Sequence, residues 1–192
     1  MIVLTSSISG IAEADKIEHC ILEIARNDGN SAHSALERLY LQTKDAIYGY
    51  ALSILKNSYD AEDILHDCYI SIYQSADKYV SVGKPMAWIF TITRNLCHSR
   101  LRGRKRMSEV PEEDWERYIE SNEGVSMEDR VVLEHCLKDL RDEEREILLL
   151  HVLSGLKHRE IAELMDRPLS TILSKYHRAL KKMRAFLNVE GR

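Results

Sequence analysis

Two segments of the sequence carry many positive charges and no acidic residue. Residues 78–108 contain eight lysines and arginines, and residues 167–189 contain six. Cations at this density suit contacts with phosphate groups, which a nucleic acid presents along its whole backbone. Either run alone is also compatible with a solvated helix face. Two such runs in one chain favour an anionic partner that is contacted at two places.

The segment between the two basic runs is strongly acidic. Residues 109–146 hold fifteen acidic and five basic residues, and the 192-residue chain as a whole has a formal net charge of −4. This net charge is a near-cancellation of opposite blocks, so it does not exclude binding to nucleic acid. It does predict that the isolated chain binds DNA weakly, because its own acidic residues repel phosphate.

Metal binding and enzymatic chemistry find little support in the sequence. Adjacent residues on a helix point about 100° apart, so neighbouring His and Cys side chains do not readily chelate one ion. His151 and His158 have neither a partnered nucleophile nor a metal-binding spacing. We therefore expect no metal, no cofactor and no catalytic residue. The adjacent His and Cys pairs are His19–Cys20, Cys97–His98 and His135–Cys136.

The sequence shows no targeting segment. Residues 1–11 contain no lysine or arginine and only a short apolar run, far below the roughly 20 residues of a membrane span. This predicts a cytoplasmic protein without membrane insertion. The cysteines form no C-x-x-C pair, and reduced core thiols are expected in that compartment. They are Cys20, Cys68, Cys97 and Cys136.

The elements that position the charged residues are predicted to be helices. The chain has only 8 Gly and 3 Pro with 44% hydrophobic residues, a composition that favours a mostly helical protein over a β-sandwich. Apolar residues at helical spacing predict helices that begin near Ile17, Ser31, Asp60 and Met86. We expect them to pack as one domain over residues 15–107.

A second domain is predicted beyond an acidic linker. The helical pattern dissolves over residues 108–127 and returns over residues 128–190, with helices expected at 131–140, 142–153, 158–165 and from 169. A short helix, a tight turn and a basic, hydroxyl-rich helix form a helix-turn-helix pattern, whose second helix enters the major groove of DNA. An ordinary helical hairpin is the alternative. The expected fold class is all-α, with two small helical domains and a helix-turn-helix in the second.

Four motifs resemble a known family. In order, they read DAEDILHD, WIFTITRN, REIAEL and STILSKYHRA, and they begin at Asp60, Trp88, Arg159 and Ser170. Together they resemble a bacterial RNA polymerase sigma factor of the sigma-70 family, specifically the extracytoplasmic-function (ECF) group, which keeps only the second and fourth conserved regions. The resemblance runs from about residue 17 to 187, with a linker in the expected place.

The resemblance implies roles for individual residues. Those at the core-polymerase-binding motif are Asp63, His66 and Asp67, where the family commonly has Gln and Glu at the last two positions. Those at −10 promoter contacts are Ser81, Val82, Gly83, Lys84, Arg94, Asn95, Arg100, Arg102, Arg104, Lys105 and Arg106. Those at −35 contacts are Ser170, Thr171, Leu173, Ser174, Lys175, His177 and Arg178. Leu173 replaces a residue that is usually basic, and Asp166 replaces a usual Gly.

The function that the resemblance implies is transcription initiation. Such a protein binds core RNA polymerase, recognises the −35 and −10 elements of promoter DNA and promotes melting, without covalent chemistry of its own. An anti-sigma factor is a further class of partner in this family. The acidic linker either occupies the RNA-exit path of polymerase or serves only as a tether. Two other functions remain open from the residues: a helix-turn-helix regulator that binds DNA without polymerase, and a helical adaptor that binds only proteins.

Overall fold

The structure, a computed structural model, describes residues 3–26, 28–107 and 139–190, and side chains within 14–26, 28–103 and 139–185. The regular structure in these ranges is entirely helical, which confirms the predicted all-α fold. The predicted linker at 108–127 and nearly all of the helix predicted at 131–140 lie outside the described residues. The helices are α1 (Val3–Ala25), α2 (Gly29–Leu55), α3 (Ser58–Ser75), a short 3₁₀ helix (Ala76–Lys78), α4 (Pro85–Met107), α5 (Asp142–Ser154), α6 (His158–Met165) and α7 (Leu169–Glu190).

Helices α1 to α4 form the first unit, in which each helix buries one apolar stripe. Helix α1 begins at Val3, well before the predicted start near Ile17. Cys20, Cys68 and Cys97 are buried free thiols, as predicted, while Cys136 lies outside the described residues. Burial raises the pKa of the Cys68 thiol to about 11, which keeps it protonated and unreactive at neutral pH.

The boundary between α2 and α3 follows from local side-chain chemistry. Helix α2 is terminated by Lys56, the residue after Leu55, which takes a left-handed conformation with φ 55°. Asn57 then caps α3, because its side-chain oxygen accepts a hydrogen bond of 2.9 Å from the backbone N–H of Asp60. This cap fixes where α3 begins and therefore which of its residues face outward.

Helices α5 to α7 form the second unit, and their lengths and turns are those of the predicted helix-turn-helix. Gly155, with φ 68°, ends α5 in the left-handed conformation that glycine adopts without strain. Asp166, with φ 51°, ends α6 in the same region, which an aspartate occupies at some cost. Glu160 accepts a hydrogen bond of 2.7 Å from the backbone N–H of Lys157 and so caps the start of α6.

The two units pack directly on each other, a contact that the sequence did not predict. Ile147 and Leu150 of α5 belong to the same buried cluster as Tyr50 of α2 and Phe90 of α4. Tyr50 and Phe90 meet edge to face with ring centroids 5.2 Å apart. Polar residues at the rim of this shared core are therefore drawn into contacts between the units. Among the described helices, none has the length and apolarity needed to cross a membrane.

Candidate nucleic-acid interface

The outward face of α3 carries the three residues predicted to bind polymerase. Asp63, His66 and Asp67 are exposed, because the neighbouring positions Ile64 and Leu65 turn into the core. The spacing of three and four residues places all three side chains on one side of the helix. The structure thus presents a continuous polar strip there.

Arg100, which is predicted to face DNA, pairs with two carboxylates of α3 in this structure. Its guanidinium nitrogens are each 3.3 Å from a carboxylate oxygen, one of Asp60 and one of Asp63. The pair links α4 to the start of the polar strip, so Arg100 contributes to the orientation of Asp63. The sequence does not show which arginine of this basic run pairs with a carboxylate. Only the packing of α4 on α3 shows that Arg100 does so.

The loop between the 3₁₀ helix and α4 holds the next group of predicted residues. Ser81, Val82 and Gly83 are exposed there, and Gly83 has φ 69°. Lys84, at the end of the loop, is half-buried and forms an ion pair with Glu160 of α6. This contact, together with the backbone hydrogen bond from Lys157, lowers the pKa of Glu160. The loop is thereby tied to the second unit.

Arg94 of α4 is held by a carboxylate from the second unit. Its Nε lies 2.8 Å from Oε1 of Glu146 on α5, and Nε2 of His98 lies 2.9 Å from the same oxygen. The hydroxyl of Tyr50 also approaches that oxygen, at 3.4 Å. Glu146 is buried, which opposes its ionisation, but the hydrogen bond from His98 and the charge of Arg94 outweigh burial and lower its pKa.

Two of the remaining predicted residues of α4 are more open. Asn95 and Arg102 are exposed. Arg104, Lys105 and Arg106 lie within α4, but their side chains fall outside the described set. Glu146 had no sequence signal beyond its place in the acidic segment 109–146, and Glu160 had none beyond its place in the REIAEL motif. Sequence reasoning therefore missed both of them as partners of the basic residues.

Helix α7 presents a mixed surface of hydroxyl and basic side chains. Ser170, Ser174, His177 and Arg178 are exposed, whereas buried Ile172 anchors the helix to the unit. The Ser174 hydroxyl donates a hydrogen bond of 2.9 Å to a backbone carbonyl one turn earlier. The half-buried residues of the predicted set are Thr171, Leu173 and Lys175.

Acidic residues in the first turn of α5 partly neutralise the cations of α7. Glu143 forms an ion pair with Lys175. Glu144 is buried, lies 3.6 Å from Nε of Arg178 and accepts a hydrogen bond of 2.8 Å from Lys182. Burial opposes the ionisation of Glu144, but the Lys182 hydrogen bond helps to keep its pKa below the ordinary value. These pairs orient the basic side chains of α7.

An aromatic cluster joins the three helices of the second unit. The rings of His151 and His158 stack with centroids 4.5 Å apart, and Tyr176 of α7 meets both rings edge to face. Burial, together with the nearby His151 and His177, lowers the pKa of His158. The described side chains contain no group of three His, Cys, Asp or Glu residues arranged to hold a metal ion. The ring contacts of this cluster pack α5, α6 and α7 against one another.

The arrangement is that of an all-α DNA-binding protein with a C-terminal helix-turn-helix. Residues 39–107 match the family model for Sigma-70 region 2, and residues 130–183 match that for Sigma-70, region 4. The chain belongs to the sigma-70 family, in its ECF group, as the motifs predicted. It is a polymerase-binding, promoter-recognising sigma factor, and this family comprises initiation factors rather than enzymes.

Mycobacterial relatives support this placement. The chain is 26% identical over 167 residues to the ECF RNA polymerase sigma factor SigK of Mycobacterium tuberculosis, an alignment that covers 81% of this chain and 87% of SigK. It is 30% identical over 170 residues to the ECF RNA polymerase sigma factor SigE of Mycolicibacterium smegmatis, covering 82% of this chain and 63% of SigE.

Two solved structures share the fold. The sigma factor RpoE, in its co-crystal structure with the anti-sigma factor NepR from Bartonella quintana, superposes with a TM-score of 0.64 at 23% identity, covering 80% of this chain and 96% of RpoE. CnrH, in complex with the cytosolic domain of CnrY, gives a TM-score of 0.56 at 19% identity, covering 91% and 98% of the two chains.

Proposed function

We propose that the exposed face of α3 docks on core RNA polymerase, that the loop 79–84 and α4 bind the −10 element, and that α7 reads the −35 element. The observation that carries this proposal is the separation of two exposed surfaces of different chemistry. One is the polar strip of Asp63, His66 and Asp67, and the other is the hydroxyl and basic face of α7. A protein partner and a DNA partner each require one of them.

The chemistry of α7 fits the reading of duplex DNA. The Ser170 hydroxyl can pair with either donors or acceptors on base edges, and Arg178 suits guanine or phosphate. The Ser174 hydroxyl, which donates its proton to a backbone carbonyl, offers its lone pairs to a base donor. Leu173, half-buried where the family usually has a basic residue, removes one charged contact and offers an apolar contact to a thymine methyl group. Phosphate contacts from the basic residues would fix the register of the helix on DNA.

The contact between the units implies that DNA binding requires a rearrangement. Arg94 and Lys84, both proposed −10 contacts, are paired with Glu146 and Glu160 of the second unit. A phosphate must replace each carboxylate before these cations contact DNA. Binding to polymerase would supply the free energy for this exchange, in agreement with the weak DNA binding expected of the isolated chain. We further propose that the protein acts in the cytoplasm, catalyses no covalent reaction and is a target for an anti-sigma factor.

The decisive experiment mixes the chain with core RNA polymerase and a DNA library randomised over both promoter elements. We expect heparin-resistant open complexes, enriched for defined −35 and −10 sequences, only when chain and core are both present. A regulator that acts without polymerase would instead enrich duplexes alone, and an adaptor would enrich none. Failure of the chain to bind core at low salt would refute the proposal.

The docking face is tested by charge reversal. We expect Asp63→Arg with Asp67→Arg to abolish core binding. The matched control reverses two exposed acids elsewhere, Asp15 and Asp28, and should bind core normally. Because Asp63 pairs with Arg100, the urea midpoint of both double variants is measured, and loss of core binding counts only at an unchanged midpoint. Normal binding by the Asp63/Asp67 variant would exclude this face.

A further inference from the structure

We propose that Glu18, on helix α1, positions the loop 79–84 and makes Ser81 a hydrogen-bond acceptor that selects amino-bearing bases at one position of the −10 element. This inference rests on the proposed role of the loop in −10 recognition. Glu18 precedes residues 39–107, the segment matched by the region 2 family model, so its role does not follow from that match.

Three donors of the loop converge on a single oxygen of Glu18. The Tyr79 hydroxyl donates to Oε1 at 2.7 Å, the Ser81 hydroxyl at 2.8 Å and the backbone N–H of Gly83 at 3.3 Å. These donors are alternate residues of the loop, so one carboxylate fixes the backbone path of the loop from Tyr79 to Gly83. Gly83, with φ 69°, supplies the backbone conformation that brings its N–H round to Glu18.

The carboxylate is ionised and its donors keep their protons. The hydrogen bonds from Tyr79 and Ser81 lower the pKa of Glu18, and burial together with the Glu18 contact raises the pKa of Tyr79. Hydrogen bonds to an ionised acceptor are stronger than neutral ones. Tyr79 is itself buried and packs on Trp88, with ring centroids 5.1 Å apart, so the anchor of the loop is rigid.

This geometry fixes what the loop offers to a base. A serine hydroxyl has one proton, and Ser81 donates it to Glu18, so only the lone pairs of its oxygen remain. An extruded base is read on its Watson–Crick edge, where adenine and cytosine present an amino group and guanine and thymine present a carbonyl at the corresponding position. Ser81, as an acceptor, favours the amino group. Glu18 itself carries a negative charge and would repel phosphate, which makes it a positioning residue rather than a DNA contact.

The experiment uses the full chain with core polymerase and a library randomised over both promoter elements. The position read by the loop is the one whose base preference Ser81→Ala changes. We expect the wild-type chain to prefer adenine or cytosine there, and Glu18→Ala to reduce that preference roughly fivefold or more, the scale of losing one base-edge hydrogen bond. Glu18→Gln keeps an acceptor oxygen and should retain most of the preference. Asp15→Ala, an exposed acid one turn earlier on α1, is the matched control.

A merely structural role for Glu18 predicts a different pattern. It would lower the amount of open complex on every promoter equally and leave the base preference unchanged, and that result would overturn the inference. A wild-type preference for guanine or thymine at the Ser81-dependent position would also overturn it, as would the absence of any such position. If Glu18→Ala fails to fold, Glu18→Asp replaces it, because the shorter side chain withdraws the carboxylate from Ser81. Glu18→Asp should reduce the base preference on its own and should add no further loss to Ser81→Ala. Absence of open complexes with the wild-type chain would instead refute the proposed function.

Discussion

Replacement of Glu146 removes the buried ion pair that joins the two units. Its Oε1 accepts hydrogen bonds from Arg94 at 2.8 Å and from His98 at 2.9 Å, and its side chain is only 7% exposed. Glu146→Ala removes both acceptor and charge, whereas Glu146→Gln keeps an acceptor of similar shape. Glu146→Ala therefore measures the contribution of the whole contact, and Glu146→Gln measures the contribution of its charge.

The size of the effect follows from these two contacts. A hydrogen bond to an ionised group contributes about 1.5–3 kcal/mol, so two of them contribute about 3–6 kcal/mol. In Glu146→Ala, Arg94 would be an unpaired, partly buried charge while the units stay packed, and separation of the units returns it to water. The variant therefore loses free energy of association between the two units. At about 1.4 kcal/mol per factor of ten, a loss of 3 kcal/mol changes the ratio of packed to separated chains by more than about 100-fold.

Two measurements test this expectation. Small-angle X-ray scattering of the isolated chain should show a larger radius of gyration for Glu146→Ala, with a smaller increase for Glu146→Gln. Fluorescence anisotropy should show tighter DNA binding without polymerase, since Arg94 becomes available to phosphate. Glu163→Ala, which removes an exposed acid of α6, is the control for the change in net charge. If Glu146→Ala matched Glu163→Ala in both measurements, the ion pair would not hold the units together.

The same ion pair predicts a dependence on pH. The pKa of Glu146 in the folded chain lies below its ordinary value of about 4.3. A lowered carboxyl pKa means that the stabilisation is fully present above the ordinary value and is lost as pH falls through the lower folded value. Acidification from the ordinary value down through the lower folded pKa should therefore progressively weaken the contact between the units of the wild-type chain. The Glu146→Gln variant should lack this pH dependence of the contact, because its side chain does not titrate.

Three further predictions concern stability, each measured by urea denaturation of the full chain. The pKa of His158 is lowered in the folded chain, so protonation of the unfolded chain destabilises the fold as pH falls below about 6.5; His158→Phe should flatten this decline, and an unchanged slope would contradict it. Asp166 has φ 51°, so Asp166→Gly should raise the free energy of unfolding by up to about 1 kcal/mol and Asp166→Val should lower it. An equal effect of both substitutions would exclude backbone strain at this position. Asn57→Ala should cost about 1 kcal/mol by removing the cap on Asp60, and Asn57→Asp, which retains an acceptor, should cost less.

The helices and the helix-turn-helix were predictable because their signals are local. The turn at Gly155 and the start of α7 at Leu169 followed from glycine, proline and the spacing of apolar residues. The family motifs likewise depend on neighbouring residues. Exposure of Asp63 and Asp67 followed from the same periodicity, because helical spacing that buries Ile64 turns both carboxylates outward.

The pairing of charges required the tertiary structure. Glu18 meets Ser81 across 63 residues, and Glu146 meets Arg94 across 52. Composition marks such residues as charged, but it does not say which acid reaches which base. The sequence by itself thus determined the helices, the family and the character of each surface, since these depend on the order of residues along the chain. Only the tertiary structure decided which of the basic residues are already occupied by carboxylates, because that depends on distances between helices far apart in sequence.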